Sequence, residues 1–414
     1  MELKAAIEAA NAETVRRIIA SDPVLVDIIP AGEAIPGLED RMILHSGPPI
    51  TWAAMCGAQR GACIGMVLFE GWATIPGDAV TMLASGAIRL EPNHHHQAVG
   101  PMAGTITRSL PVFVVQNRAF GNMAYSRRAD PRQQFGDFSD EALDGLRQWR
   151  DVWGPSLARG VRRLGGLPLK PLLSKALHMG DELHNRPNAA SLLFTTALAA
   201  PMIEAGVEKD ALVSTLNFAA NDDFLFLGIA MAAAKAATDP AAGIEFSTVV
   251  TTMARNGTEF GIRVSGLPGQ WFTAPSPRVE GLFIPGFSEA DAGLDMGDSA
   301  ITETVGWGGF VLGGAPGILA LVGGTPEQAL AFSHDMRRIT VTESPDYLIP
   351  ALGFAGAPVG IDIRKVVQTG ILPVIDTAIA HKDPGYPNLG AGIVRPPLDC
   401  FKNALRAFAE RYGA

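Results

Sequence analysis

Three cysteines in 414 residues, Cys56, Cys63 and Cys400, are too few and odd in number to build a disulfide framework. The spacing of Cys56 and Cys63 matches no common zinc motif, so all three read as buried free thiols. Charge is also scarce: 18% of residues are charged against 47% hydrophobic, the reverse of a disordered chain. No basic run exceeds Arg127-Arg128 or Arg162-Arg163, and the net charge is −9, which excludes the footprint of a nucleic-acid binder. Walker A, GxGxxG, GxSxG and HExxH patterns are all absent, so nucleotide-dependent, serine-hydrolase and zincin chemistry have no motif support. There is no internal repeat and no long linker.

The opening MELKAAIEAANAETVRRIIAS has the spacing of an amphipathic helix and lacks the apolar core of a signal peptide. Residues 305–324, VGWGGFVLGGAPGILALVGG, are long and uncharged enough to mimic a membrane span. They carry eight glycines and a proline, however, and glycine supports helix interiors poorly, so a buried helix–turn region is expected. A cytoplasmic protein follows, with no membrane or nucleic-acid partner and no resident metal or cofactor. The apolar composition points to a homo-oligomer, since obligate interfaces are hydrophobic.

The pattern predicts a mixed α and β fold (α/β or α+β), multi-lobed, with a helix-rich middle and short strands near 104–117 and 247–265. Residues 1–75 read as mostly helical around a 30–37 loop, and 75–90 as a helix. TIT and VFVV read as two strands separated by a proline. Residues 139–178 read as helical with a break at 168–171, and 188–238 as two or three helices. FSTVVTTMARNGTEFGIRVSG reads as a hairpin turning at Arg255-Asn256-Gly257. Helices are expected near 299–320, 326–338 and 398–412. The division this suggests is an N-terminal α/β lobe at 1–137, a helical segment at 138–240 and a C-terminal α/β lobe at 241–414.

Several segments hold more hydrogen-bonding side chains than local structure requires. In HMGDELHNRPNAAS, 178–191, one polar residue suffices to cap the apolar helix that follows. The stretch supplies Asp181, Glu182, His184, Asn185, Arg186 and Asn188, and burying that surplus is costly unless it pairs or binds something. Asn221-Asp222-Asp223 is in excess in the same way. Asn93-His94-His95-His96 is either an exposed polar turn or, if extended, a segment with His94 and His96 on one face as ligands or proton donors. The run after it, Gly100 to Gly104 with Met102 at its centre, offers backbone N–H groups to an anion, and Arg108 is close in sequence. Arg255 and Arg263 flank the hairpin turn, either as anion forks or as exposed charges, with Asn256 in the turn itself. Asp295, Asp298, Ser299 and Glu303 precede the Gly-rich region, where Asp298 or Ser299 would cap a helix whose free N–H groups suit an anion. His381-Lys382 in a late Gly/Pro-rich loop is a weak further candidate.

Taken in order, VGPMAG, GDELHNR, NDDFLFL, MARNGTEFGIRVSG, GDSAITET, GIDIRKVV and GAGIVRPP resemble the family of the oxamate carbamoyltransferase large subunit over roughly residues 15–410. That family accompanies FdrA-like proteins, which are similar to the acyl-CoA synthetase α subunit. The resemblance implies carbamoyl transfer between phosphate and an amide nitrogen in purine-ureide (allantoin) breakdown: carbamoyl phosphate with oxamate, or oxalurate with phosphate in reverse. It also implies that other subunits are needed. The residues fit such chemistry: Arg108, Arg186, Arg255 and Arg263 as clamps for small anions, Gly-rich backbone donors or a His at the carbamoyl oxygen, and Asp181, Glu182 or His184 as base. His96 joins the catalytic candidates. His94, Gly100, Met102, Gly104, Asn185, Asn221, Asp222, Asn256, Asp298 and Ser299 join the binding candidates. The Ser-Thr-Arg-Thr phosphate loop of ordinary aspartate or ornithine carbamoyltransferases is missing. The alternatives are a stand-alone amide or ureide hydrolase and a non-catalytic binding subunit.

Overall fold

The structure is a computed structural model describing residues 3–413. Its centre is the helix Leu225–Thr238, whose fourteen residues are all buried. Small side chains let neighbours come close. A Cβ on Gly228 would stand 2.3 Å from the Arg127 carbonyl oxygen, so only glycine admits that strand. The one charged residue in the helix, Lys235, is neutralised by Asp239, 2.6 Å away at i+4.

Against this helix lies a five-stranded sheet in the order Ala98–Val99, Met123–Arg127, Pro111–Asn117, Pro23–Pro30, Leu167–Pro168. Its pairings are antiparallel except at the Ala98–Val99 edge. Helix Gly154–Leu164 packs on strand Pro23–Pro30 and on helix Asn188–Glu204. The later part of the chain forms a four-stranded sheet, Phe272–Pro275, Glu259–Val264, Val250–Asn256, Met296–Gly297, and a three-stranded sheet, Glu280–Phe283, Gly390–Val394, Ile375–Ile379. Helix Leu398–Tyr412 packs on the former. The first helix, Leu3–Ala20, is tied to this region by Asn11, which donates to Thr248 Oγ1, while Thr248 donates to Asp362. The largest apolar core draws residues from Val15 to Val359, so segments 1–137, 138–240 and part of 241–414 share it.

The mixed α and β architecture agrees with the pattern, and so do the hairpin and the helices Pro326–Ile339 and Leu398–Tyr412. Other expectations give way. The first 75 residues contain the strands Pro23–Pro30 and Met42–His45. TIT is not a strand: Ile106 makes one isolated bridge to Leu44, and the strand begins at Pro111. Residues 299–318 form short 3-10 turns rather than a helix, broken where Gly306 and Gly308 take positive φ. Among the described residues no single helix is long and apolar enough to cross a membrane.

Candidate active site

The loop 180–187 joins helices Lys170–His178 and Asn188–Glu204. Its two acids fold it. Asp181 accepts from Leu183 N–H (3.0 Å) and from Ala190 N–H (2.9 Å), the latter a free donor of the following helix's first turn. Glu182 accepts from the N–H groups of His184 and Arg186. Leu183 sits between them in the left-handed region at φ 69, an arrangement that persists only where the surroundings enforce it. The loop therefore turns His184 inward, and the ring is buried.

His184 Nδ1 lies 2.7 Å from Glu303 Oε1, and Glu303 is itself held by the Thr302 hydroxyl (3.0 Å) and the Gly309 N–H (3.1 Å). Asp376, from strand Ile375–Ile379, brings Oδ1 to 3.8 Å from the same ring nitrogen. It is fully buried, and neither of its oxygens has a hydrogen-bond partner among the described residues. Gly308 makes room for the pairing. A Cβ there would stand 2.1 Å from Glu303 Oε1 and 2.9 Å from His184 Nδ1.

Burial pushes Glu182 well above the usual carboxylate range, with Asp376 and Asp181 adding to it. Burial lifts Asp376 to about 7, opposed by His184 and reinforced by Glu303. Burial also works against a charged His184, but Glu303 and then Asp376 outweigh it and hold the ring above its ordinary value.

A cavity of about 20 Å³, the space of roughly one water, touches His184, Asn185, Met102, Ser299, Thr377 and Phe224. Phe224 also borders an open cleft of about 700 Å³ that includes Arg128, Arg132, Arg186, Trp153 and Asp222. Arg128 lies over the rings of Phe218, Trp149 and Trp153 and pairs with Asp222 at 2.8 Å. Arg186 pairs with Asp223 at 3.0 Å, both partly exposed.

Asp181, Glu182, His184, Asn185, Met102 and Ser299 thus converge, with Arg186 and Asp222 in the neighbouring cleft. The remaining candidates are placed elsewhere or occupied. Arg255 is buried beside Thr377, but its guanidinium is spent on Asp295 (2.6 and 3.0 Å), the Gly297 carbonyl and the Thr377 hydroxyl, leaving no free fork for an anion. Asp298 anchors a separate buried knot, accepting from Gly47 N–H, Asn93 Nδ2 and Gly100 N–H, with His94 Nε2 at 3.4 Å. Three N–H groups of the anion cradle expected at Gly100–Gly104 are taken: besides Gly100, Ala103 donates to the Gln134 carbonyl and Gly104 to the Pro101 carbonyl. His94 and His96 do not share a face. Residues Asn93–His96 form a 3-10 turn, whose three residues per turn separate i from i+2, so His94 is buried and His96 is partly exposed. Asn256 serves the hairpin turn, accepting from Thr258 and Glu259 N–H. Arg263 lies over Trp271, 5.6 Å from its centroid. Arg108 pairs with Asp40 in a different surface hollow, whereas Asn221 borders the same open cleft as Arg186 and Asp222, exposed and donating to the Asn217 carbonyl.

Two central residues escaped the sequence reading. Glu303 read only as a neighbour of a helix cap. Asp376 was missed altogether, although a lone Asp inside the apolar run ILPVIDTAIA is itself a signal, because a buried charge needs a reason.

A family model described as "Oxamate carbamoyltransferase subunit AllG" matches residues 88–299. Along its length the chain is 43% identical over 410 residues to the Escherichia coli (strain K12) protein named oxamate carbamoyltransferase subunit AllG, covering 98% of each. The chain belongs to the AllG family. A second E. coli relative, named "Uncharacterized protein YahG", is 49% identical over 410 residues, 98% of this chain and 87% of that one. The AllG-family fold also matches a crystal structure of a conserved protein of unknown function from Enterococcus faecalis V583, with a TM-score of 0.96, 45% identity and 99% of both chains covered. Glu303 and Asp376 lie beyond the stretch matched by the family model but within the length shared with AllG and YahG.

Proposed function

We propose that the chain is the subunit of an oxamate-carbamoyltransferase-type complex that carries the acyl-transfer pocket, and that this pocket is the buried cluster around His184. In the transfer direction the acceptor's amide nitrogen bonds to the carbamoyl carbon. The C–O bond to phosphate breaks, phosphate leaves with the electron pair, and the amide gives up a proton. Negative charge grows on the carbamoyl oxygen, where preorganised donors lower the barrier. The Ser299 and Thr377 hydroxyls and the Asn185 amide line the cavity, and Asn185 Nδ2 is buried without a partner among the described residues. The acid-rich wall receives the proton.

The cavity admits about one water, so the substrates enter from the cleft past Phe224. There Arg186 meets an anion by exchanging its partly exposed partner Asp223 for it, an exchange of small cost because such surface pairs are weak. FdrA-like and other subunits complete the enzyme, and the pathway it serves is purine-ureide breakdown.

The observation that carries this reading is Asp376. A carboxylate with a structural task collects hydrogen-bond donors, as Asp181 does, whereas Asp376 is buried with neither oxygen bonded among the described residues. The test is phosphate release from carbamoyl phosphate, with and without oxamate, by the chain together with its partner subunits. Asp376→Asn is expected to remove oxamate-dependent release without altering assembly, and Arg108→Ala to leave it unchanged. Wild-type rates in Asp376→Asn contradict the reading.

A further inference from the structure

We propose that His184 Nδ1, Glu303 Oε1 and Asp376 Oδ1 form a site for one divalent metal ion of the Mn²⁺ or Zn²⁺ class. The three ligand atoms lie within 4.8 Å of one another, the His184–Glu303 pair at 2.7 Å and the His184–Asp376 pair at 3.8 Å. Ligands about 2.1 Å from a shared ion stand roughly 3–4 Å apart, so small side-chain adjustments enclose one. Asp376 is the independent observation: a fully buried carboxylate aimed at the cluster with neither oxygen bonded among the described residues.

The balance of charge points the same way. Asp181, Glu182, Glu303 and Asp376 are all buried around one imidazole. The buried cation nearby, Arg255, is matched one-to-one by Asp295. Of the four acids, Glu303 and Asp376 face the same ring nitrogen of His184, and a divalent ion between them offsets the cost of burying two carboxylates together. The surroundings also resemble a prepared site. The Thr302 hydroxyl and the Gly309 N–H fix Glu303 from behind, as outer contacts orient metal ligands. Gly308 keeps the space between Glu303 and His184 free of a side chain. One imidazole with two carboxylates is a mixed nitrogen and oxygen set, and the absence of a thiolate among these three ligands disfavours soft ions. On binding, Nδ1 releases its proton and presents its lone pair.

The ion's role, though not its binding, rests on the transferase reading. Beside the cavity it places positive charge where the carbamoyl oxygen becomes negative.

The test uses the full chain, stripped with EDTA and titrated separately with Mn²⁺, Zn²⁺ and Mg²⁺ by calorimetry, with bound metal counted by mass spectrometry. One ion per chain is expected, with a rise in Tm, and binding at least about 100-fold weaker in Asp376→Asn and in Glu303→Gln. Failure of the wild-type chain to take up any of the three ions overturns the proposal, as does undiminished binding by folded Asp376→Asn. Metal uptake by a complex that transfers no carbamoyl group leaves the site standing and removes the transferase reading. Transfer that survives chelation, with no metal bound, does the reverse.

Discussion

Gly308→Ala adds one carbon at the point where the candidate site is most tightly built. Gly308 holds φ at 61, a conformation that costs an L-residue about 1–2 kcal/mol. The new Cβ would stand 2.1 Å from Glu303 Oε1, 2.8 Å from its carboxyl carbon and 2.9 Å from His184 Nδ1, all inside contact distance. Glu303 is pinned by Thr302 and Gly309, so it cannot step aside without losing those donors. Displacing it leaves a fully buried carboxylate and imidazole unpaired, which costs about 3–5 kcal/mol where such pairs are broken. The two costs overlap, so a net loss of about 3 kcal/mol or more is expected in urea unfolding. A folded fraction of the variant is expected to show no carbamoyl transfer. Gly317→Ala, where a Cβ meets nothing within 4 Å, is the control and should be nearly neutral. Wild-type stability together with wild-type activity in Gly308→Ala would refute the idea that the His184–Glu303 pairing is both tight and functional.

Three further outcomes follow from the same structure. Gly145 lies inside helix Asp140–Gln148 with nothing within 4 Å of a Cβ, so Gly145→Ala should raise stability by about 0.5–1 kcal/mol in urea titrations. Arg128→Ala strands the nearly buried Asp222 and strips a cation from three aromatic rings, so a loss of about 3–5 kcal/mol is expected, and a loss under about 1 kcal/mol would contradict it. Burial holds His45 and His94 below the ordinary imidazole value, against the pull of Asp298 on each. The unfolded chain takes up protons on them below about pH 6.5 and the folded chain does not, so each contributes stability that is intact above that pH and lost as the pH falls, by up to about 1.4 kcal/mol per pH unit. His94→Gln should therefore lose less stability than wild type between pH 7 and 5.5, and parallel pH profiles would contradict this.

Elements with local signals were legible in the sequence. Helix Leu398–Tyr412 has apolar spacing on one face, and the Asn256-Gly257 hairpin has its turn chemistry. Segment 299–318 misled because its apolar composition suits a helix while Gly306 and Gly308 require positive φ. Strand Thr340–Ile349 was hidden by a proline and two acids on a partly exposed stretch. At the site, the polar surplus of 180–188 was visible, but its first explanation proved partly structural, since Asp181 and Glu182 organise backbone N–H groups and thereby aim His184. The partners of His184 were not legible as a set. Glu303 stands 119 residues along the chain and Asp376 is farther still, so no spacing motif joins them and only the fold does.

The most direct test of the central claim is oxamate-dependent phosphate release by the assembled complex carrying Asp376→Asn. The account predicts a loss of at least about 100-fold in kcat with the complex intact, the scale seen when groups that stabilise a transition state are removed. An intact complex turning over at the wild-type rate would contradict it and leave the chain a structural subunit.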